Sequence, residues 1–183
     1  MDEVIPLFPY EYVHIGGDEA PKKHWKESAF VQDLMKKLNI KDELHMQSYF
    51  ITRMEKYINS KGKQIIGWDE ILEGGLAPNA TVMSWTGIEG GIHAAKTKHK
   101  AIMTPTSTNY FDYYQGNPDT EPLSIGGNLR LQKVYAYNPI PKELTKEEAK
   151  YIWGTQGNLW TEYILEFPHV QQMIFPRITA LEE

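Results

Sequence analysis

Cysteine is absent from the 183 residues, which excludes disulfides, thiolate metal sites and a cysteine nucleophile but does not name a compartment. No stretch approaches the roughly 20 apolar residues of a membrane helix. Basic charge is not in excess: 19 Lys and Arg stand against 24 Asp and Glu, a formal charge of −5. Composition therefore offers no global basic field, and no nucleic-acid partner is expected. The opening Met1-Asp2-Glu3-Val4-Ile5-Pro6 lacks the charged and apolar regions of a signal peptide. Repeats, low-complexity tracts and flexible linkers are missing too. What is present is 41% hydrophobic residues, enough for the core of one domain of this length. Aromatics are plentiful, with five Trp, eleven Tyr and six Phe, and many stand beside Gly, Pro, Asn or Asp. Rings at strand ends and in loops either anchor those loops or stack on a flat or amphipathic ligand.

Hydrophobic patterning reads as alternating strands and helices. Tyr12-Val13-His14-Ile15 is β-prone and stops at Gly16-Gly17, and Asp42 through Asn59 carries Met46, Phe50, Met54, Tyr57 and Ile58 at helical spacing. Strands are then expected at Gln64–Gly67, Thr81–Trp85 and Lys100–Met103, with a helix over Ile88–Lys96. Near the end, Lys146–Tyr151 reads as a helix and Thr155–Leu159 as an extended segment. This alternation predicts an α/β fold of parallel units, whose right-handed crossovers bring all strand C-termini to one face.

Chemistry-bearing residues follow those strands. Gly16-Gly17-Asp18-Glu19 follows the first, Trp68-Asp69-Glu70 the second and Trp85 the third. Asn109-Tyr110-Phe111-Asp112-Tyr113 comes soon after the fourth, and Trp160-Thr161-Glu162 closes the last. Parallel α/β sheets and (β/α)8 barrels build their sites at this end, so five clusters are expected at one mouth. Asp18 and Glu19 are adjacent carboxyls after two glycines that permit tight turning. Such a pair resists joint ionisation, the condition under which one carboxyl keeps a proton for a departing sugar oxygen. The alternative is structural, with Asp18 or Glu19 capping a helix that begins at Ala20-Pro21.

The run His14-Ile15-Gly16-Gly17-Asp18-Glu19 resembles the signature of family-20 glycoside hydrolases, the β-N-acetylhexosaminidases. Four further segments agree in order: Gly67-Trp68-Asp69-Glu70-Ile71-Leu72, Met83-Ser84-Trp85, Tyr110-Phe111-Asp112, and Gln156-Gly157-Asn158-Leu159-Trp160-Thr161-Glu162. The resemblance implies a (β/α)8 barrel and substrate-assisted retention, an exception to the usual carboxylate nucleophile. Glu19 would protonate the leaving oxygen and later deprotonate water, Asp18 would hold the acetamido N–H, and Tyr110 would bond the acetamido oxygen. Trp68, Trp85 and Trp160 match aromatic walls, while Asp112 and Glu162 match carboxylates that accept bonds from sugar hydroxyls. Asp69 and Glu70 are assigned support, and His14 a supporting hydrogen bond. His24 and His45 complete no ligand set, so neither metal nor other cofactor is expected. Two decoys are weaker. Gly16-Gly17-Asp18-Glu19 overlaps a diguanylate-cyclase motif, but Ala20 stands where that motif has Phe. A sugar-binding module would use the rings and carboxylates but has no need of an acid beside an orienting group.

A (β/α)8 barrel takes about 250 residues, and the matching motif begins here at residue 14. The resemblance therefore implies a partial barrel, roughly strands four to eight, with residues 1–183 an incomplete catalytic domain. The family's early-barrel arginine and upstream histidine have no counterpart in this sequence, so weak or absent hydrolysis by this chain is expected. Phe175-Pro176-Arg177-Ile178-Thr179-Ala180 resembles the start of the last barrel helix. Exposed barrel edges are expected to favour a homodimer. The implied partner is an N-acetylhexosaminide glycan or oligosaccharide. Family members commonly act outside the cytoplasm, as secreted, periplasmic or lysosome-like enzymes.

Overall fold

The computed structural model describes residues 1–183. Five strands, β1 (Tyr12–His14), β2 (Gln64–Trp68), β3 (Thr81–Ser84), β4 (Ala101–Met103) and β5 (Ile152–Thr155), lie in chain order in one sheet. Every neighbouring pair is parallel, with His14 opposite Ile66, Trp68 opposite Met83 and Ser84 opposite Met103. The β1–β2 crossover carries α1 (Lys23–Glu27), α2 (Ala29–Leu38) and α3 (Glu43–Asn59). A single 3-10 turn at Asp69–Leu72 follows β2, and α4 (Glu89–Lys96) joins β3 to β4. The β4–β5 connection holds α5 (Thr106–Asn109) and α6 (Leu131–Tyr135), and α7 (Phe167–Ile174) and α8 (Arg177–Glu182) follow β5. None of these helices is long and apolar enough to cross a membrane.

Side-chain alternation sorts the sheet into two faces. Val13, Ile65, Val82, Ala101 and Ile152 pack outward against Ile51 and Ile58 of α3 and Ala94 of α4, forming the main core. Asp42 starts α3 by accepting the His45 N–H at 3.0 Å. Close seating of α4 needs its glycines, because a Cβ at Gly91 would stand 2.3 Å from the Met103 sulfur.

The other face is concave. Four inter-strand steps of a flat sheet would separate β1 from β5 by about 19 Å. Yet the Tyr12 and Trp153 rings meet edge-on with centroids 5.2 Å apart. Lys100 fills the space between them, its Nζ donating to the Tyr12 hydroxyl at 3.0 Å and lying 3.9 Å from the Trp153 ring centroid. The sheet is thus curled into a trough, as in a partial (β/α)8 barrel, and the expected α/β class holds.

Two boundaries differ from expectation. The last strand is Ile152–Thr155 rather than Thr155–Leu159, and Lys146–Tyr151 gives only a 3-10 turn over Glu148–Tyr151 instead of a helix. Gly154, at φ 147°, and a register shift between Ala101 and Ile102 interrupt the β pattern. In sequence that interruption reads as a turn, which displaces the expected strand toward the C-terminus.

Candidate active site

The C-terminal ends of all five strands, with the loops that follow β1, β3, β4 and β5, reach one cleft of about 290 Å³. Asp18, Glu19, Trp68, Trp85, Tyr110, Asp112, Trp160 and Glu162 line it together with Tyr113 and Ile125. Every residue singled out from sequence for catalysis or substrate contact is therefore on its wall. Its floor is a chain of rings. Trp68 lies 4.8 Å from His14, 6.5 Å from Trp85 and 6.0 Å from Trp160, centroid to centroid, and Trp85 stacks on Tyr110 at 6.2 Å and 27°. Flat apolar faces beside convergent carboxyls suit a sugar, whose ring face is apolar and whose rim is hydroxylated.

The acid loop is shaped by its backbone. Gly16 and Gly17 have φ of 69° and 101°, and Glu19 itself sits at φ 47°. A Cβ on Gly17 would stand 2.5 Å from Ile71 Cγ2, so glycine is required there by both conformation and space. Asp18 and Glu19 are both exposed. The capping alternative fails, since the next helix, α1, opens at Lys23 behind Lys22. His14 accepts the Gly16 N–H on Nδ1 at 3.1 Å, the supporting bond expected of it. Loss of water around the ring pushes the His14 imidazolium below its ordinary range, against the pull of Asp18, which favours the neutral acceptor form.

The sequence pattern of "Glycosyl hydrolase family 20, catalytic domain" matches residues 1–183. The chain belongs to glycosyl hydrolase family 20. A β-hexosaminidase of Porphyromonas gingivalis is 53% identical over 184 residues, covering 100% of this chain and 24% of the relative. One from Vibrio furnissii is 32% identical, covering 99% and 30%. The fold matches a family-20 exo-β-N-acetylglucosaminidase of Vibrio harveyi, solved with N-acetylglucosamine, at a TM-score of 0.86 and 32% identity over 98% of this chain and 29% of that one. A chitobiase of Flavobacterium johnsoniae gives a TM-score of 0.80 at 32% identity, over 98% and 26%. The chain thus spans about a quarter to a third of the length of these relatives.

Within this family-20 chain, the loop after β4 is as buried as the acid loop is open. Tyr110 is 7% exposed and Asp112 5% exposed. Beyond β4 and β5 the two segments stay paired. Phe111 N–H donates to the Asn158 carbonyl at 2.6 Å, Asn158 N–H to the Asn109 carbonyl at 2.7 Å, and buried Asn109 donates from Nδ2 to Thr155 Oγ1 at 2.6 Å. Arg177 of α8, fully buried, donates to the carbonyls of Tyr113 at 3.0 Å and Leu129 at 3.1 Å, and to those of Phe111 and Met173. Two of these carbonyls flank Asp112, so the clamp fixes where that carboxyl stands. Burial lowers the Arg177 guanidinium to about 10, which leaves it charged at neutral pH.

Burial also raises Tyr110 to about 12, with the charge of Asp112 adding to it, so the phenol keeps its proton. Asp112 is pushed up to about 6 by burial first and by the nearby Glu162 charge, against Arg177. Its Oδ1 is buried with no hydrogen-bond partner. Asp69 and Glu70, assigned support together, separate. Asp69 turns under the fold, where Thr86 Oγ1 donates to its Oδ2 at 2.6 Å and burial raises its carboxyl above the usual range. Glu70 faces the acid loop. Tyr113, Ile125 and Arg177 were not assigned from sequence. Tyr113 lies inside the Asn109–Tyr113 cluster and could have been taken with it, whereas a lone Ile in a Gly-flanked loop and an Arg opening a late helix carry no such signal.

Proposed function

We propose that residues 1–183 form the larger share of the sugar site of a retaining β-N-acetylhexosaminidase that removes terminal N-acetylhexosamine by substrate-assisted catalysis. The observation that supports this most is the convergence of four carboxyls, a protonated phenol and a ring-lined floor on one cleft, from the C-terminal ends of five strands of a family-20 chain. The substrate's acetamido oxygen attacks its own anomeric carbon, and the glycosidic bond breaks with its electron pair on the leaving oxygen. Glu19 gives that oxygen its proton. Asp18 accepts from the acetamido N–H and offsets the positive charge on the oxazolinium ring, and the Tyr110 hydroxyl donates to the acetamido oxygen. Water then adds to the anomeric carbon as Glu19 takes its proton, and the ring opens to the product. Positioning an internal nucleophile removes much of the entropic barrier, and fixed dipoles stabilise the cationic transition state. Trp68, Trp85 and Trp160 hold the sugar and acetamido faces. Asp112, whose free Oδ1 needs a donor, and Glu162 take sugar hydroxyls.

The 183 residues act in this reading as one incomplete-barrel domain, and the open outer edges of β1 and β5 support self-association as a dimer. A monodisperse monomer in light scattering counts against the dimer. The function is tested by turnover of a chromogenic N-acetyl-β-glucosaminide. The assay uses the chain alone and the chain installed in place of its 184-residue counterpart in the Porphyromonas gingivalis relative, each beside Glu19→Gln. Hydrolysis that disappears in the variant supports the reading. An inert chain in both settings, or binding of an oxazoline mimic without turnover, overturns it in favour of a binding module.

A further inference from the structure

Glu70 hydrogen-bonds both the backbone of the proposed acid and an aromatic wall of the acetamido pocket. Its Oε1 accepts the Glu19 N–H at 3.3 Å, and its Oε2 accepts the Trp85 indole N–H at 2.9 Å. The carboxylate is itself firmly aimed. It stands in the 3-10 turn after β2, whose Glu70 carbonyl accepts from Gln47 Nε2 at 3.1 Å. Gln47, 3% exposed on α3, also reaches the Gly17 carbonyl at 3.5 Å and takes the Lys22 ammonium on its Oε1. One brace therefore runs from α3 through Glu70 to the acid loop.

Both ends of the brace need holding. Glu19 adopts φ 47°, which a side-chain-bearing residue keeps only when its surroundings fix it. The hydrogen bond from its N–H to Glu70 is the one tertiary hydrogen bond that Glu19 makes. At the other end the Trp85 ring stacks on Tyr110, so the oxygen that sets the indole plane also sets the wall beside the proposed acetamido orienter.

We propose that Glu70 is a positioning residue that couples the proton donor to the acetamido pocket, holding Glu19 and Trp85 in register through one oxygen each. The inference rests on the reading of the site as a hexosaminidase centre. It assigns no proton transfer to Glu70.

Glu70→Gln tests it because the amide keeps length and volume but offers one acceptor oxygen, so only one of the two N–H donors can be served. In the 183-residue chain, amide and indole hydrogen exchange by NMR is expected to show faster exchange, by about tenfold or more, at Glu19 N–H or Trp85 Nε1–H. Unchanged protection at both overturns the brace, whether or not the chain is an enzyme. In the relative-derived barrel that carries this chain, kcat is expected to fall about 10- to 100-fold for a poor alkyl leaving group such as chitobiose, with KM little changed. The loss should be several-fold smaller for a dinitrophenyl leaving group, which departs without an acid. A merely structural role lowers both rates equally, and that result overturns the positioning claim. Trp85→Phe removes the indole donor alone, so it supplies a second route should Glu70→Gln fold poorly: the Trp85→Phe barrel should lose rate with less dependence on leaving group. Inactivity of the unsubstituted barrel would sink the hexosaminidase reading, and the exchange measurement would still decide the brace.

Discussion

The loop after β1 and the loop after β4 serve the same cleft by opposite means. Asp18 and Glu19 stand exposed on a backbone bent through positive φ at Gly16, Gly17 and Glu19. Tyr110 and Asp112 are buried, paired to the segment after β5, and clamped by a fully buried guanidinium. The contrast separates two requirements of the proposed chemistry. A group that exchanges protons with a departing oxygen and then with water needs access. Groups that hold a sugar in one pose need rigidity, and burial supplies it at the cost of shifted ionisation.

The largest effect expected on this contrast is at the open side. Glu19→Gln should lower hydrolysis of an unactivated β-N-acetylhexosaminide about 10²- to 10⁴-fold, the usual span of a general acid, while leaving the denaturant midpoint where it was. Because Glu19 is exposed and its side chain anchors nothing, a large change in stability instead would show that the open loop is a structural element after all.

On the clamped side the order reverses, and stability should respond before chemistry. Arg177→Met keeps length but deletes every donor, leaving the Phe111, Tyr113, Leu129 and Met173 carbonyls without their shared partner. A loss of about 3–5 kcal/mol in urea unfolding is expected, since each orphaned buried carbonyl costs roughly 1–3 kcal/mol before relaxation. Binding of an oxazoline mimic should weaken in whatever remains folded, as Asp112 lies between two of those carbonyls. A variant that unfolds at the original urea concentration would remove the clamp from the account.

How much of this was legible in the residues differs between the loops in the same way. Gly16-Gly17-Asp18-Glu19 announces itself, because backbone requirements are met by residue types that stand out in sequence. The strands β2, β3 and β4 and the helices α3 and α4 were likewise readable from periodicity, and all eight assigned residues line the cleft. Arg177 was not readable: its partners are carbonyls 4 to 66 residues away, and carbonyl groups carry no sequence identity. Helix α2 was readable in principle and is missing from the sequence reading: Phe30, Val31, Leu34, Met35 and Leu38 follow a helical spacing between the caps Ser28 and Asn39. The displaced β5 has the same origin as any bulge, in that Gly154 looks like a stop and is a bend within the strand.

Asp112 allows the burial itself to be titrated. Its folded value of about 6 lies above the ordinary 3.8, so the folded protein binds this proton more tightly than the unfolded chain. Its contribution is most favourable below about pH 4, is lost as pH rises toward 6, and is a full penalty above that. The shift corresponds to about 2–3 kcal/mol. Asp112→Asn should therefore be more stable than the parent at pH 8 by an amount of that order and show no gain near pH 4, while sugar binding weakens. Equal effects at both pH values would mean that the carboxyl is not held against its charge.

The smallest effect probes the backbone that makes the open loop possible. Gly17→Ala adds a methyl both to a φ of 101° and to a point 2.5 Å from Ile71 Cγ2, so its cost has two sources. Together they should amount to about 1–3 kcal/mol. Ile71→Ala in the same chain removes the clash and leaves the conformational part, although it opens a cavity of its own in the main core. In a double-mutant cycle the two substitutions should couple favourably by about 1 kcal/mol if the clash matters. A coupling near zero would assign the whole cost to the left-handed turn. Turnover should fall in Gly17→Ala in either case, because the turn that accommodates glycine here is also what presents Asp18 and Glu19 to the cleft.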